Sequence, residues 1–103
     1  MKPVRLSNGA AAEIDEAAAY FNDARPGFGD EFEAAVEAAL DLIGKQPRAF
    51  SPYHSGYRKF VLGRYRHLIF YREYDAHVWV AAVHHASREP DTWMDRTPDD
   101  STP

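Results

Sequence analysis

Cysteine is absent from all 103 residues. That excludes disulfides, thiolate metal sites and cysteine nucleophiles, so the fold must be held by packing. No apolar run approaches the ~20 residues a membrane span requires. The opening Met-Lys-Pro-Val-Arg-Leu-Ser lacks the apolar centre of a signal segment, and the expectation is a soluble cytoplasmic protein. Internal repeats are missing, and low complexity is confined to alanine-rich stretches such as Ala10–Ala12 and Ala17–Ala19. Positive charge is also short overall, with a formal net charge of −4. A net-acidic chain is a poor general nucleic-acid binder, because neutralised phosphates supply most of non-specific affinity.

The charge that is present is sorted along the chain. Residues 1–47 hold four Lys/Arg against nine Asp/Glu, a net of −5; residues 48–88 hold seven against two, a net of +5, with all five histidines; the remainder is net −4. The small overall charge therefore hides a basic, imidazole-bearing middle able to meet an anionic partner locally. The acidic helical faces read as solvated surface, along which a basic segment of a partner can lie.

The length suits one domain with a modest core, expected over residues 1–96 with a flexible acidic tail at 97–103. Val4 and Leu6 predict a short first strand, and Ser7 or Asn8 can cap the helix after it. Ala11, Ile14, Ala18 and Phe21 recur at helical spacing, with Glu13, Asp15, Glu16 and Asp23 assigned largely to other faces; the helix is expected to end near Ala24. Arg25-Pro26-Gly27 breaks it. A second helix carries the stripe Phe28, Phe32, Ala35, Val36, Ala39, Leu40 and Ile43, with Gly44 and Pro47 as its stop. So short a connection implies an antiparallel hairpin.

Residues 57–93 change period. Arg66, Leu68, Phe70 and Arg72 alternate with His67, Ile69, Tyr71 and Glu73, and Val78, Trp79, Val80 and Val83 suit a half-buried sheet. Three antiparallel strands result. Strict alternation places His84 with Val80 and Ala82, and His85 with Trp79, Ala81 and Val83, so one of the two imidazoles shares the core side. The predicted fold class is α+β: an N-terminal strand and a helical hairpin packed on a mostly antiparallel three- to four-stranded sheet.

Taken in order, A-x-x-E-I (10–14), G-x-x-F-x-x-A-x-x-x-A-L (29–40), I-x-x-x-P (43–47), Tyr57-Arg58, R-Y-R-H-L-I-F-Y (64–71) and H-x-x-R-x-P (85–90) resemble the RelE/ParE superfamily of bacterial toxins from type II toxin–antitoxin pairs. The likeness runs from about Val4 to Trp93, and the Val83-His84-His85-Ala86-Ser87-Arg88 ending is closer to the ParE branch. It implies a cytoplasmic toxin that arrests growth and is neutralised by a cognate antitoxin in a hetero-oligomer. The ParE branch implies binding and inhibition of DNA gyrase without catalysis. The RelE branch implies metal-independent, ribosome-dependent cleavage of messenger RNA. A degenerate toxin that only forms the antitoxin complex is a third reading. None of the three involves a membrane.

Candidate residues follow. A metal-free nuclease needs a base, an acid and cations in one cleft, for which His85 (or His84), Arg88, Arg64, Arg66 and Tyr57 (or Tyr71) are the candidates. For target binding the candidates are His85, Arg88, Trp93, Arg58 and Arg66. Trp93 is assigned to the core or to a partner groove, with core packing favoured. Adjacent strand histidines point to opposite faces, so His84, His85 and His54 predict no metal site. No cofactor is expected. The aromatics Tyr65, Phe70, Tyr71, Tyr74 and Trp79 read mostly as core, since no Gly-rich RNA-binding signature accompanies them.

Overall fold

The computed structural model describes residues 1–98, so the tail expected over 97–103 lies, from residue 99 onward, outside the described residues. The elements run β1 (Val4–Leu6), α1 (Asn8–Ala24), α2 (Phe28–Lys45), β2 (Ser51–Pro52), β3 (Arg58–Leu62), a 3-10 turn at Gly63–Tyr65, β4 (His67–Glu73) and β5 (Val78–His85). The strands form one sheet in the order β1-β5-β4-β3-β2. β1 pairs with β5 in parallel, and every other pairing is antiparallel. The α+β class is as expected. One short strand is added, because Ser51 and Pro52 register against Lys59 and Arg58.

Ser7 starts α1 and also fastens it. Its extended backbone allows Oγ to accept from the Ala10 amide at 2.9 Å, while the same hydroxyl donates to the Ala81 carbonyl of β5 at 2.8 Å. A single buried hydroxyl thus caps the helix and sets it against the sheet. After α1 ends at Ala24, Gly27 at φ 89° turns the chain into α2. The helices then cross closely at Gly29, whose amide donates to Asn22 Oδ1 at 2.8 Å. A Cβ there would fall on the Ala18 carbonyl oxygen. Gly44, expected to stop α2, lies inside it. It is needed because the incoming chain runs against it, with the Lys2 amide donating to the Gly44 carbonyl at 3.0 Å.

A bulge corrects the face assignment in β5. Phe70 pairs with Ala82 but Tyr71 with Val80, leaving Ala81 as an extra residue. Parity therefore flips after it. Val83 joins Val78 and Val80 under the helices, while Ala82 joins Trp79 and Ala81 on the other face. His85 consequently lies on the helix side with Val83, and His84 on the far side with Leu68, the reverse of strict alternation.

The sheet has a core on each side. Ile14, Phe32, Val36, Ile43, Ile69 and Tyr71 fill the space beneath the helices. Tyr57, Phe70, Trp79 and Trp93 form a second cluster on the opposite face. There the returning C-terminal segment covers the sheet, with Trp93 stacked on Phe70 at 4.6 Å and only 1% exposed. A side chain of that size removes about 150–250 Å² from water, roughly 4–6 kcal/mol of transfer free energy before entropic costs. Among the described residues, no helix is long and apolar enough to cross a membrane.

The helix crossing makes a stability prediction. Gly29→Ala should destabilise by about 1–3 kcal/mol through overpacking, whereas Gly63→Ala, whose Cβ would meet nothing within 4 Å, should change little. Denaturant midpoints of the two variants provide the comparison, and equal midpoints would refute the close-crossing account.

Candidate functional site

Because β1 is only three residues long, its register with β5 stops at Leu6 and Val80. Among the described residues no strand lies beside the outer edge of β5 from Ala81 onward, and its polar groups need other partners. Side chains supply them. The Ala81 carbonyl accepts from Ser7 Oγ and from Arg96 Nη1, both at 2.8 Å. The Val83 amide donates to Glu13 Oε1 at 3.0 Å. Glu13 reaches it from α1, one turn beyond Ala10 and on that helix's buried side. Its assignment to a solvated face is corrected here: Glu13 is 9% exposed.

Four groups converge on this carboxylate. Besides the Val83 amide, Arg96 donates from Nη1 to Oε1 at 3.0 Å and from Nη2 to Oε2 at 2.9 Å. His84 Nε2 lies 2.6 Å from Oε2, and Arg88 Nη1 makes a longer contact of 3.4 Å. Burial alone would raise the pKa of Glu13; the Arg96 fork, the Val83 amide and the nearby charges outweigh it and hold the carboxyl below its ordinary range. His84 is pushed below the ordinary imidazole value, first by burial, then by the charges of Arg88 and Arg96, against the opposing pull of Glu13. At neutral pH His84 is thus an uncharged donor to an ionised Glu13. The bidentate Arg96 is the strong member of the set.

Beside this hub lies a groove of about 550 Å³ between α1 and the ends of β4 and β5. Ala17, Tyr20, Phe21, His67, Val83 and His85 line its apolar part, and Glu13, Glu16 and Arg88 bring charge to it. Tyr20 is 71% exposed, an unusual position for a large ring. His67 is buried among Phe21 and Phe32 with Nδ1 2.8 Å from the Tyr65 carbonyl, and its ring meets His85 edge-on at 5.2 Å. Burial, reinforced by the two neighbouring histidines, holds His67 below the ordinary imidazole value. His85 Nδ1 accepts from the Ser87 amide at 3.1 Å and lies 2.7 Å from its hydroxyl.

Of the sequence candidates, His85 and Arg88 meet in this groove; the others do not line it. Arg64 lies over the Phe28 and Tyr65 rings, and Arg66, exposed at φ 54°, ends the 3-10 turn. Arg58 donates to the Phe50 carbonyl at 2.8 Å. Tyr57 and Trp93 pack edge to face at 4.9 Å in the second core. Tyr71 is fully buried, donating its hydroxyl to the Pro47 carbonyl at 2.7 Å, and burial pushes its pKa up to about 12. Tyr65, Phe70 and Trp79 are core residues as expected, while Tyr74 is half-buried. Among the described residues no cluster of His, Asp or Glu is arranged to hold a metal ion.

A sequence model of the ParE toxin of the type II toxin–antitoxin system, parDE, matches residues 4–90. The chain belongs to the ParE toxin family. It is 32% identical to Toxin ParE2 of Mycobacterium tuberculosis, in both strains CDC 1551 / Oshkosh and H37Rv, over 88 residues that make up 84% of each chain. Its fold resembles that of the chromosomal ParDE TA system from P. aeruginosa, with a TM-score of 0.63 and 14% identity, covering 82% of this chain and 96% of the other. Within this ParE-family chain, the two residues that sequence reasoning overlooked are Glu13 and Arg96. Glu13 carried a usable signal, since it stands three residues after Ala10 and four before Ala17, on the apolar stripe. Arg96 carried none beyond being the sole cation of an acidic terminus.

Removing the carboxylate tests the hub. Glu13→Ala removes the acceptor of the Val83 amide and of two Arg96 hydrogen bonds, and should cost about 3–5 kcal/mol in chemical denaturation. Acid should act in two stages. His84, lowered in the fold, withdraws stability once pH falls below the unfolded imidazole value near 6.5; Glu13, also lowered, contributes above its unfolded value near 4.5 and loses that contribution as pH falls through its folded value. In Glu13→Gln the carboxylate stage should vanish from melting temperature against pH. An unchanged acid limb would refute this assignment.

Proposed function

We propose that this ParE-family toxin arrests growth by binding and inhibiting DNA gyrase, acts in the cytoplasm, and is neutralised by a cognate antitoxin. The observation that carries the reading is the commitment of the cations. Arg96 and, more loosely, Arg88 are turned toward Glu13, so His85 faces a groove where two carboxylates, Glu13 and Glu16, stand against one half-exposed guanidinium. Phosphodiester cleavage asks for the opposite, a surplus of cations where charge develops. Tyr57, the nuclease candidate for stacking or proton donation, packs on the face away from the helices, and the Tyr71 hydroxyl is buried. Recognition of a protein surface needs only an amphipathic cleft with a few oriented polar groups, which the groove supplies.

For the antitoxin, the fitting occupant is a helix or strand with an apolar face, laid on the helical hairpin and the adjoining sheet edge. Low-relief Ala17 and exposed Tyr20 and Leu42 lie on that hairpin. The solved structure described as a chromosomal ParDE TA system supports an antitoxin partner.

Expression of the chain alone should stop growth, and co-expression with its antitoxin should restore it. Normal growth with folded protein present would favour the degenerate reading. In a purified system the chain should inhibit gyrase supercoiling and leave messenger RNA on translating ribosomes intact. Arg88→Ala should weaken inhibition by roughly 5- to 150-fold, the 1–3 kcal/mol of a charge-assisted hydrogen bond, while His85→Ala should act mainly on stability. Codon-specific messenger cleavage, lost in either variant at unchanged melting temperature, would overturn the proposal in favour of a RelE-like nuclease.

A further inference from the structure

Away from the groove, the turn between β2 and β3 brings a serine, a histidine and an aspartate into line. The Tyr57 amide donates to the His54 carbonyl at 3.0 Å, closing a turn whose central residues, Ser55 at φ 56° and Gly56 at φ 81°, both have positive φ. This is the hairpin turn in which Asn or Gly normally takes the first central place. Here the position is a serine, exposed at the tip. Gly56 lets the Arg72 guanidinium press against the turn, where Nη2 donates to the Ser55 carbonyl at 2.5 Å.

Ser55 Oγ lies 3.2 Å from His54 Nδ1, and His54 Nε2 lies 3.1 Å from Asp91 Oδ2. The second Asp91 oxygen accepts from the Tyr53 hydroxyl at 2.6 Å. Asp91 itself is held at φ 66°. The proton positions follow from these contacts. An ionised carboxylate only accepts, so His54 Nε2 is the donor to it; in the tautomer with the lone pair on Nδ1, the serine hydroxyl donates to that nitrogen. The Tyr53 hydroxyl, and secondarily His54, hold the Asp91 carboxyl below its ordinary range, which keeps it ionised. Hydroxyl to imidazole to carboxylate, each within hydrogen-bond reach, is the arrangement that activates a serine, here with the ring nitrogens in exchanged roles. Tyr53 anchors the set by packing on Phe70 at 5.1 Å. Fastening Asp91 to the sheet would need Tyr53 and His54 alone; it gives no reason for a hydroxyl at residue 55.

We propose that Ser55, His54 and Asp91 form a nucleophilic site for small carboxylic esters. The adjoining cleft of about 520 Å³ is bordered by Tyr57, Tyr74 and Met94, which suit an acyl chain, and by Arg72, a cation for developing negative charge. Ser55 Oγ bonds to the ester carbonyl carbon as its proton passes to His54 Nδ1, and the oxyanion is stabilised by Arg72. Collapse breaks the bond to the alkoxide, which leaves as the alcohol with the proton from Nδ1. Water, deprotonated by the same imidazole, then attacks the acyl-serine and releases the acid, restoring the hydroxyl.

The test uses the purified full-length chain with a fluorophosphonate, in which serine oxygen displaces fluoride from phosphorus, and with p-nitrophenyl butyrate. One adduct is expected, mapped to Ser55 by peptide mass spectrometry. Ester hydrolysis should disappear in Ser55→Gly, which keeps the positive φ and the melting temperature. It should fall about 10²-fold or more in His54→Ala. Wild-type folded chain without an adduct on Ser55, or hydrolysis in Ser55→Gly equal to wild type, overturns the proposal. Neither readout involves gyrase or an antitoxin, so the outcome is separate from that of the toxin reading.

Discussion

A buried carboxylate on the first helix organises much of this molecule. Glu13 stands where the sheet runs out of strand, and with Ser7 and Arg96 it does for the outer edge of β5 what a longer β1 would have done. Isolated in the interior, such a charge would be expelled or neutralised. Four donors from three parts of the chain keep it ionised instead, and in doing so they tie α1, the end of β5 and the returning C-terminal segment to one point. Gly9 belongs to the same arrangement, since a Cβ there would collide with the Arg96 guanidinium.

The ionic partners also change the meaning of the charge sorting. The acidic first half and basic middle look like two surfaces of opposite sign, yet several of the charges in each are already paired. Glu73 holds Lys2 and Arg48 at 2.9 Å each, and Glu31 pairs with Arg25 at 2.7 Å. The exposed pairs add little to stability in water, but they lower the field that a polyanion would meet. What remains at the groove is an amphipathic surface whose polar groups are few and oriented.

The second core gives the C-terminal segment its place. Trp93 seals the far face of the sheet against Phe70 and Tyr57, with its indole Nε1 lacking a hydrogen-bond partner among the described residues. Packing of this kind positions Arg96 for Glu13 and Asp91 for Tyr53 and His54. The groove on one face and the serine turn on the other therefore share the same strap of chain.

Local pattern in the sequence determined the element order, the helical hairpin, the alternating strands and the family likeness, because helical and strand periods and turn residues act over a few positions. Ser7 as cap, the break at Arg25-Pro26-Gly27 and Trp93 as a packing residue were all legible in that way. The bulge at Ala81 was not: one extra residue in a run of small and β-branched side chains leaves no local mark, yet it exchanges the faces of His84 and His85. Helical spacing placed Glu13 on the apolar side of α1 but could not show what would hold a charge there, since it becomes tolerable only when distant donors arrive. The pairing of Ser55 and His54 with Asp91 depends likewise on a return of the chain across the sheet. Those contacts join residues 37 to 83 positions apart, and only the tertiary structure decides them, because burial and charge compensation are properties of the assembled fold.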